Sequence, residues 1–422
     1  MGPITIYHEA DLHVTDGPRF QDHLDVLGQA VEAARKAEPD LVVIAGDLTN
    51  QAPRKATPRE RNALVDHVLA LAKLCPVVIV RGNHDYPGDW LFLNELGADH
   101  PVRYLERPEL LTFTMGKPGD LFSAQQCHVL AVPYPERGWL APKVAGGREA
   151  VNQAVREGLK GLLLGMAHRC TAGVVRIGVA HCNVIGTTLD NGQPLIGDEV
   201  EIGETDLLEH APDLWCLGHI HKPQDFQDGR IVYSGEPMKH KHGAPGDRSV
   251  CVHQVGAGEP VRTKRIKLGY RDLVTLDLWF GSVDERPPAL YLMNEGKRAE
   301  SPMMVMPAAD VHHAEVRVRL RYQEEHGEVL DRAKLEQELL DAGAHRVKVE
   351  ASAEPAVKVR APEIVEAQET PDKLAIFLRE RGKEIGDPVV DALVREHLAL
   401  LETREPGDVL AEVQALVREV RT

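Results

Sequence analysis

The chain has 422 residues, of which 43% are hydrophobic and 27% charged, and its formal net charge is −16 at pH 7. This length and composition predict a globular protein with two or three hydrophobic cores and exclude a disordered or collagen-like chain. The surplus of acidic residues argues against binding of nucleic acid over the whole surface, although a locally basic groove or bound metal ions would offset it.

Up to about residue 267 the sequence predicts apolar strands that alternate with amphipathic helices. The predicted strands cover residues 4–7, 41–45, 77–80, 128–132, 174–180, 214–217, 231–233 and 249–253. Helices are predicted at about 22–37, from the N-cap Thr57 to residue 74, and at about 148–168. We therefore expect a layered α/β domain whose chemistry lies at the carboxyl ends of its strands.

The pattern changes after residue 267. Apolar residues alternate with arginines over 316–322, a helix is predicted at 331–342, and a second alternating strand is predicted at 346–350. These elements predict a small α+β domain over 268–350. Residues 351–369 have the composition of a linker, and further helices are predicted over 370–422.

Three features favour a cytoplasmic protein that does not associate with membranes. No apolar run approaches the roughly 18 residues that a membrane span needs. The first residues show no signal-peptide pattern. The six cysteines are widely spaced and contain no C-x-x-C pair, which is typical of reduced, buried thiols.

Polar side chains follow directly after the predicted strands. They are residue types that ligate metals or move protons, and in chain order they are Asp11, His13, Asp47, Asn83, His84, Asp85, His181, His219 and His221. Gathering so many carboxylates and imidazoles at one sheet edge is costly unless divalent metal ions compensate their charge. We expect Gly46, Gly82 and Gly218 to let the backbone turn sharply, so that the side chains after them face the ions.

The ligand types and their number predict a pair of ions. Carboxylates, imidazoles and an amide oxygen, without a thiolate, suit Mn²⁺, Fe²⁺ or Mg²⁺ better than a structural zinc site. The candidate ligands are too many for one ion, and two ions roughly 3.5–4 Å apart are the usual arrangement for phosphoester cleavage. Asp47 lies between the two ligand sets along the chain, so we expect it to bridge the ions.

This ordered set of motifs resembles that of the calcineurin-like metallophosphoesterases over about residues 4–253. The resemblance implies a β-sandwich flanked by helices, a hydrolase activity and two metal-ion sites. The first ion would be held by Asp11, His13, Asp47 and His221. The second would be held by Asp47, Asn83, His181 and His219. His84 would protonate the leaving oxygen or stabilise the phosphorane charge, and Asp85 would orient His84.

Residues 213–221 followed by 231–235 narrow the resemblance to the bacterial SbcD family, the nuclease half of the SbcCD complex. The resemblance implies a Mn²⁺-dependent exonuclease or endonuclease that processes DNA breaks or hairpins, with Mg²⁺ or Fe²⁺ as alternatives. Residues 1–267 would be the nuclease domain, 268–350 a DNA-binding capping domain, and 370–422 the segment that docks onto an SbcC-like coiled-coil ATPase. The partners would be DNA, this ATPase and a second copy within a heterotetramer.

Two other functions remain open from the sequence. A metallophosphoesterase that acts on smaller phosphoesters or nucleotides would share the same centre. A catalytically silent scaffold subunit would be expected to lack a ligand or His84, and all of these residues are present. The chain contains no G-x-x-x-x-G-K-[ST] loop, so any ATP dependence would come from another polypeptide.

Four features are left without a settled role. Glu236 stands where the SbcD family usually has a small hydroxyl residue. Residues 238–242 could contact DNA or form a solvated basic loop. The arginines of 317–321 could line a DNA path or lie on the outer face of an edge strand. Cys182, beside His181, is interpreted as a packing residue rather than a ligand.

Overall fold

A computed structural model describes residues 2–50, 55–115, 125–135, 148–189, 200–209, 212–244, 246–283, 286–303 and 311–354. The chain divides into two compact units. The first is formed by Met1–Trp279, Leu290–Leu320 and Asp331–Ala351, and the second by Phe280–Ala289, Arg321–Leu330 and Ser352–Thr422. The predicted C-terminal helices and all but the first residues of the predicted linker lie outside the described residues. The proposed domain boundaries stay a prediction.

The described residues form the following elements. The strands, in chain order, are β1 (Ile4–Glu9), β2 (Leu41–Ile44), β3 (Val77–Val80), β4 (Val102–Leu105), β5 (Glu109–Met115), β6 (Gln125–Val132), β7 (Val175–His181), β8 (Asn183–Val184), β9 (Glu201–Ile202), β10 (Leu214–Gly218), β11 (Gln224–Phe226), β12 (Ile231–Tyr233), β13 (Ser249–Val255), β14 (Arg262–Lys267), β15 (Leu273–Gly281), β16 (Ala289–Asn294), β17 (Lys297–Arg298), β18 (Glu315–Gln323) and β19 (Arg346–Glu354). The α-helices are α1 (Phe20–Ala37), α2 (Pro58–Ala72), α3 (Arg148–Ala167), α4 (Glu204–Glu209) and α5 (Arg332–Asp341).

Two six-stranded sheets carry the strands that precede the candidate residues. The first has the order β14-β13-β1-β2-β3-β4, and the second the order β11-β12-β10-β7-β6-β5. β1, β2, β3 and β4 run parallel to one another, as do β6, β7, β10 and β12. Parallel strands end at the same edge of a sheet, so this topology brings the residues that follow β1, β2, β3, β7 and β10 to shared edges.

The two sheets pack face to face, and helices cover their outer faces. Buried residues from both sheets, such as Val43 of β2 and Val179 of β7, belong to one hydrophobic core. A second core joins α1 and α2 to the outer face of the first sheet, and a third joins α3 to the second sheet. Since α2 begins with the predicted Thr57 capping box, its start is encoded locally. The prediction of a β-sandwich flanked by helices is confirmed.

The strands that the sequence did not predict include edge strands. β4 and β14 are the edges of the first sheet, and β5 is an edge of the second. β14 reads RTKRIK, and its residues are exposed or half-buried. Charged residues on an edge strand oppose pairing with another chain. An apolar pattern therefore could not reveal it.

A third sheet has the order β17-β16-β15-β18-β19. This sheet contains the predicted strands β18 and β19, which the predicted helix α5 connects, and three strands that were not predicted. The apolar residues of β18 are buried: Val316, Val318 and Leu320. Within the described part of the chain, no helix combines the length and the apolar character that a membrane span requires.

Candidate metal centre

The predicted ligand residues meet where the two sheets end. In the first sheet Asp11 follows β1, Asp47 follows β2 and Asn83 follows β3. In the second sheet His181 ends β7, and His219 and His221 follow β10. The backbone also joins neighbouring segments, because the amide of His13 donates to the carbonyl of Asp47 (3.0 Å).

The candidate ligand atoms form two overlapping groups, and within each group all the atoms lie within 4.8 Å of one another. The first contains Asp11, His13 and His221, and the second contains Asp11, Asp47 and His181. In the first group the Nε2 atoms of His13 and His221 are 3.0 Å apart. Convergence of this kind fits a cation better than it fits the packing of uncharged side chains.

Asp47 lies between the two groups. Its Oδ2 atom is 3.6 Å from Nε2 of His13 and 3.4 Å from Nε2 of His181. Its Oδ1 atom accepts a hydrogen bond from the backbone amide of His84 (2.8 Å). The amide therefore holds one oxygen, and the other oxygen faces imidazoles from both groups.

Asn83 joins His219 to the second group. Its Oδ1 atom is 2.9 Å from Nε2 of His181 and 3.1 Å from Nδ1 of His219. Nδ1 of His181 donates to the carbonyl of Ala45 (2.7 Å), which leaves Nε2 as the atom aimed into the site. A proton on Nε2 can satisfy these contacts, and a metal ion would take the place of that proton on binding.

The pKa values show how strongly these buried groups act on one another. Burial lowers the pKa of His13 to about 3. Burial opposes ionisation of Asp47 as well, but the nearby imidazoles of His181 and His13 outweigh it and lower the pKa of Asp47. Burial also acts to lower the pKa of His181, and the Asp47 carboxylate nevertheless raises it to about 9. Asp47 therefore stays anionic, as a metal ligand must.

The backbone of the site is strained at four predicted ligands. Asp11, His13 and Asp47 have φ angles of 54°, 43° and 54°, and His219 has a φ of 94°. Residues other than glycine rarely adopt this left-handed region, and the conformation persists only where the surrounding structure enforces it. These backbone conformations cost the fold some stability, and they orient the four side chains in the site.

Of the three glycines that were predicted to allow sharp turns, Gly46 alone has a positive φ. Gly46 has a φ of 90°. Gly82 and Gly218 are needed for space: a Cβ on Gly82 would lie 2.0 Å from Oδ1 of Asp47, and one on Gly218 would lie 2.0 Å from the carbonyl oxygen of Ala45. Neither Gly82 nor Gly218 has a positive φ, so glycine is required at these two positions because close packing of neighbouring loops excludes a side chain.

His84 lies at the site, whereas the carboxylate of Asp85 is hydrogen-bonded to backbone amides. The half-buried ring of His84 meets the ring of His13 edge-on, with 5.0 Å between the ring centroids. The two carboxylate oxygens of Asp85 accept from the backbone amides of Thr49 (3.1 Å) and Gly82 (3.0 Å). The carboxylate thus ties together the loops after β2 and β3, and among the described residues neither of its oxygens is hydrogen-bonded to His84. Burial and the Asp47 charge raise the pKa of Asp85 to about 7.

Sequence reasoning assigned no role to several residues around the site. Tyr134 lies beside His181 and His219, with ring centroids 6.2 and 5.8 Å away. Glu236 is buried, and its Oε2 atom is 3.1 Å from Nδ1 of His221. The acidic residue at 236, which departs from the SbcD pattern, is the one sequence signal that could have revealed this contact. Tyr134 follows a strand of the second sheet but has no motif around it.

The segment 238–242 is not a solvated loop throughout. Met238 is buried, and the ring of His240 stacks on that of His23 at 5.3 Å and meets that of His13 edge-on at 5.5 Å. Burial lowers the pKa of His240 well below its usual value. Lys241 is exposed. Part of this segment therefore packs behind the candidate metal centre.

The arginines of β18 contact side chains of the neighbouring strands, and the alternative that they lie on an edge strand is wrong, because β18 is an interior strand of its sheet. Arg319 makes two hydrogen bonds of 2.5 Å to Asp277 on the adjacent strand, and Arg317 donates to Thr275 (3.4 Å). Arg321 lies 3.8 Å from Glu354. Cys182 is buried in a hydrophobic core, and burial raises the pKa of its thiol to about 12.

One family model and two solved structures are similar to parts of this chain. Residues 4–126 match the family model described as calcineurin-like phosphoesterase. The chain is also similar to a dimetal phosphatase from Danio rerio (13% identity, 64% of this chain and 100% of that chain, TM-score 0.40). It is likewise similar to the calcineurin-like phosphoesterase YfkN from Bacillus subtilis (14% identity, 63% and 91%, TM-score 0.36). The family match supports a metallophosphoesterase domain and, with the candidate Asp and His groups, two divalent ions.

Proposed function

We propose that this protein is a two-metal phosphodiesterase that cleaves DNA. The observation that carries the hydrolase part of the proposal is the position of Asp47, whose Oδ2 atom faces His13 of one ligand group and His181 of the other. A single carboxylate oxygen so placed suits a bridge between two cations.

The ligand sets are those that the resemblance to the metallophosphoesterases implies, and the contacts around Asp47 and Asn83 support them. One ion would be held by Asp11, His13, Asp47 and His221, and the other by Asp47, Asn83, His181 and His219. When bound, the ions would neutralise phosphate charge and make a water molecule acidic enough to attack phosphorus.

His84 is the candidate proton donor to the leaving oxygen. It is half-buried at the edge of the site, and its backbone amide is held by Asp47. Since its ring lies beside His13 rather than inside either ligand group, it can face a substrate without serving as a ligand.

The DNA substrate is supported by the resemblance of residues 213–221 and 231–235 to the SbcD family. On the same basis we propose a cytoplasmic nuclease subunit that works in break or hairpin processing with an SbcC-like ATPase, as two copies in a heterotetramer. The net charge of this chain is −16, which disfavours binding of the DNA phosphate backbone. The ATPase partner would supply much of the surface that contacts the phosphates.

A phosphatase or nucleotide phosphodiesterase is the second candidate. The observation that favours it is the pairing of Arg319 with Asp277 and of Arg321 with Glu354, since these pairs neutralise arginines that were candidates for a DNA path. A smaller substrate would need no such path.

Competition between substrates separates the two candidates. The Mn²⁺-loaded chain would be given single-stranded or hairpin DNA together with p-nitrophenyl phosphate. Cleavage of DNA with a higher kcat/KM than the monoester would support the nuclease. Efficient hydrolysis of the monoester with no cleavage of any DNA end or hairpin would support the smaller-substrate enzyme instead.

A further inference from the structure

We infer that Glu236, backed by Arg248, is a positioning residue that fixes the ring of His221 for one of the two metal ions. This inference rests on the proposed function, because it concerns one ligand of that centre. It depends on four contacts among three segments of the chain. His221 follows β10, Gly235 and Glu236 follow β12, and Arg248 directly precedes β13.

Glu236 contacts His221 through both its side chain and its backbone. Oε2 of Glu236 lies 3.1 Å from Nδ1 of His221. The backbone amide of Glu236 donates to the carbonyl oxygen of His221 (3.1 Å). One residue therefore restrains both the main chain and the imidazole of His221.

Close packing places Glu236 there. Gly235 has a φ of 76°, and a Cβ at this residue would lie 2.6 Å from the carbonyl oxygen of His221. Only a residue without a side chain lets the two segments approach so closely. The turn at Gly235 then directs the next side chain toward the imidazole.

Arg248 keeps the Glu236 carboxylate in place. Both residues are buried, and Nε of Arg248 donates to Oε1 of Glu236 (2.9 Å). A buried carboxylate needs a cationic partner to remain charged. With Oε1 bound to Arg248, Oε2 is the oxygen directed at His221.

The consequence for the metal lies on the other side of the imidazole. A carboxylate at Nδ1 favours a proton on that nitrogen, which leaves the lone pair of Nε2 available as a ligand. Nε2 is the atom that lies 3.0 Å from Nε2 of His13 in the first ligand group. Carboxylates that hold a ligating histidine in this way typically contribute 10- to 100-fold to metal affinity.

Isothermal titration of the full, metal-free chain with Mn²⁺ tests the inference. We expect the wild-type protein to bind two ions. Glu236→Gln should weaken one of them by about 10-fold or more and leave the other within about 2-fold, because only one ligand group contains His221. Glu60→Gln, which changes a buried carboxylate of the α2 capping box, is the matched control and should leave both affinities unchanged.

A merely structural role would affect both ions and the thermal unfolding of the metal-free protein together. If Glu236→Gln fails to fold, Glu236→Asp serves instead, since it keeps the charge near Arg248 but withdraws the carboxylate from Nδ1; we expect it to weaken the same ion by several-fold. If the wild-type protein binds two ions and the folded variant binds both with unchanged affinity, the inference is overturned and the proposed function stands. Fewer than two ions in the wild-type protein would overturn both.

Discussion

The Nε2 atoms of His13 and His221 lie 3.0 Å apart, although 208 positions separate the two residues in the sequence. His13 follows the first sheet and His221 follows the second, so their contact joins the two sheets at the edge that holds the candidate ligands. Two imidazole nitrogens at this distance share either a proton or a metal ion. A proton on one of the two nitrogens can bridge the rings in the metal-free protein, and a metal ion would take the place of that proton on binding.

Removing the charge of Asp47 should disable the centre. We expect Asp47→Asn to lower kcat by about 100-fold or more and to weaken the binding of both ions, because the same oxygen faces both ligand groups. Mn²⁺ titration and steady-state kinetics measure the two effects. Asp89→Asn, at a buried carboxylate paired with Arg61, is the control and should bind Mn²⁺ normally. Full Mn²⁺ affinity in Asp47→Asn would contradict the bridging assignment.

Replacing His84 should separate catalysis from metal binding. His84→Ala is expected to reduce kcat by about 100- to 10,000-fold, the usual contribution of a general acid, while the bound metal stays at the wild-type level. Elemental analysis of the purified variants checks the metal content. His168, which is exposed on the helical side of the second sheet, provides the control His168→Ala. Loss of metal from His84→Ala would instead make His84 a ligand.

Adding a methyl group at Gly82 should displace Asp47. A Cβ there would lie 2.0 Å from Oδ1 of Asp47, so we expect Gly82→Ala to cost about 1–3 kcal/mol of unfolding free energy and to weaken Mn²⁺ binding. Gly28→Ala is the matched control: this exposed position in α1 has no atom within 4 Å of an added Cβ. It should stabilise the helix by about 0.5–1 kcal/mol. Equal stability of the two variants, by urea denaturation, would refute the steric argument.

Buried histidines away from the ligand groups should make the fold sensitive to acid. Nδ1 of His8 is 3.3 Å from Nε2 of His253, and burial lowers the pKa of His253 to about 3. Below pH 6.5 the unfolded chain takes up a proton at this residue, whereas the folded chain does not until about pH 3. The contribution of His253 is therefore complete above pH 6.5 and is lost as the pH falls, by about 2 kcal/mol between pH 6.5 and 5.

Denaturation of the metal-free protein at several pH values measures this dependence. His253→Gln removes the titrating group, so its unfolding free energy should fall less steeply between pH 6.5 and 5 than that of the wild-type protein. Parallel pH profiles for the two proteins would show that His253 is not kept neutral by the fold. His100→Gln, at a histidine that is only half-buried, is the comparison variant for a histidine-to-glutamine change elsewhere in the chain.

The sequence could predict the elements that are encoded locally. The Thr57 capping box, the apolar runs of β2 and β3 and the alternating pattern of β18 depend on neighbours a few residues away, and each appears where it was predicted. Edge strand β14 was missed because its sequence is charged and contains no apolar run, although its pairing partner β13 directly precedes it in the chain. The candidate ligand residues could be found from the sequence because each of them follows a strand that an apolar run reveals.

The sequence by itself determined which side chains stand at the ends of the strands and in what order. Tertiary structure alone decided which of them meet: Asp85 bonds to the amides of Thr49 and Gly82 rather than to His84, and Glu236 faces His221. These pairings depend on the order of strands within each sheet and on the packing of one sheet against the other. Both arise from contacts between distant segments, which a local pattern of residue types does not encode.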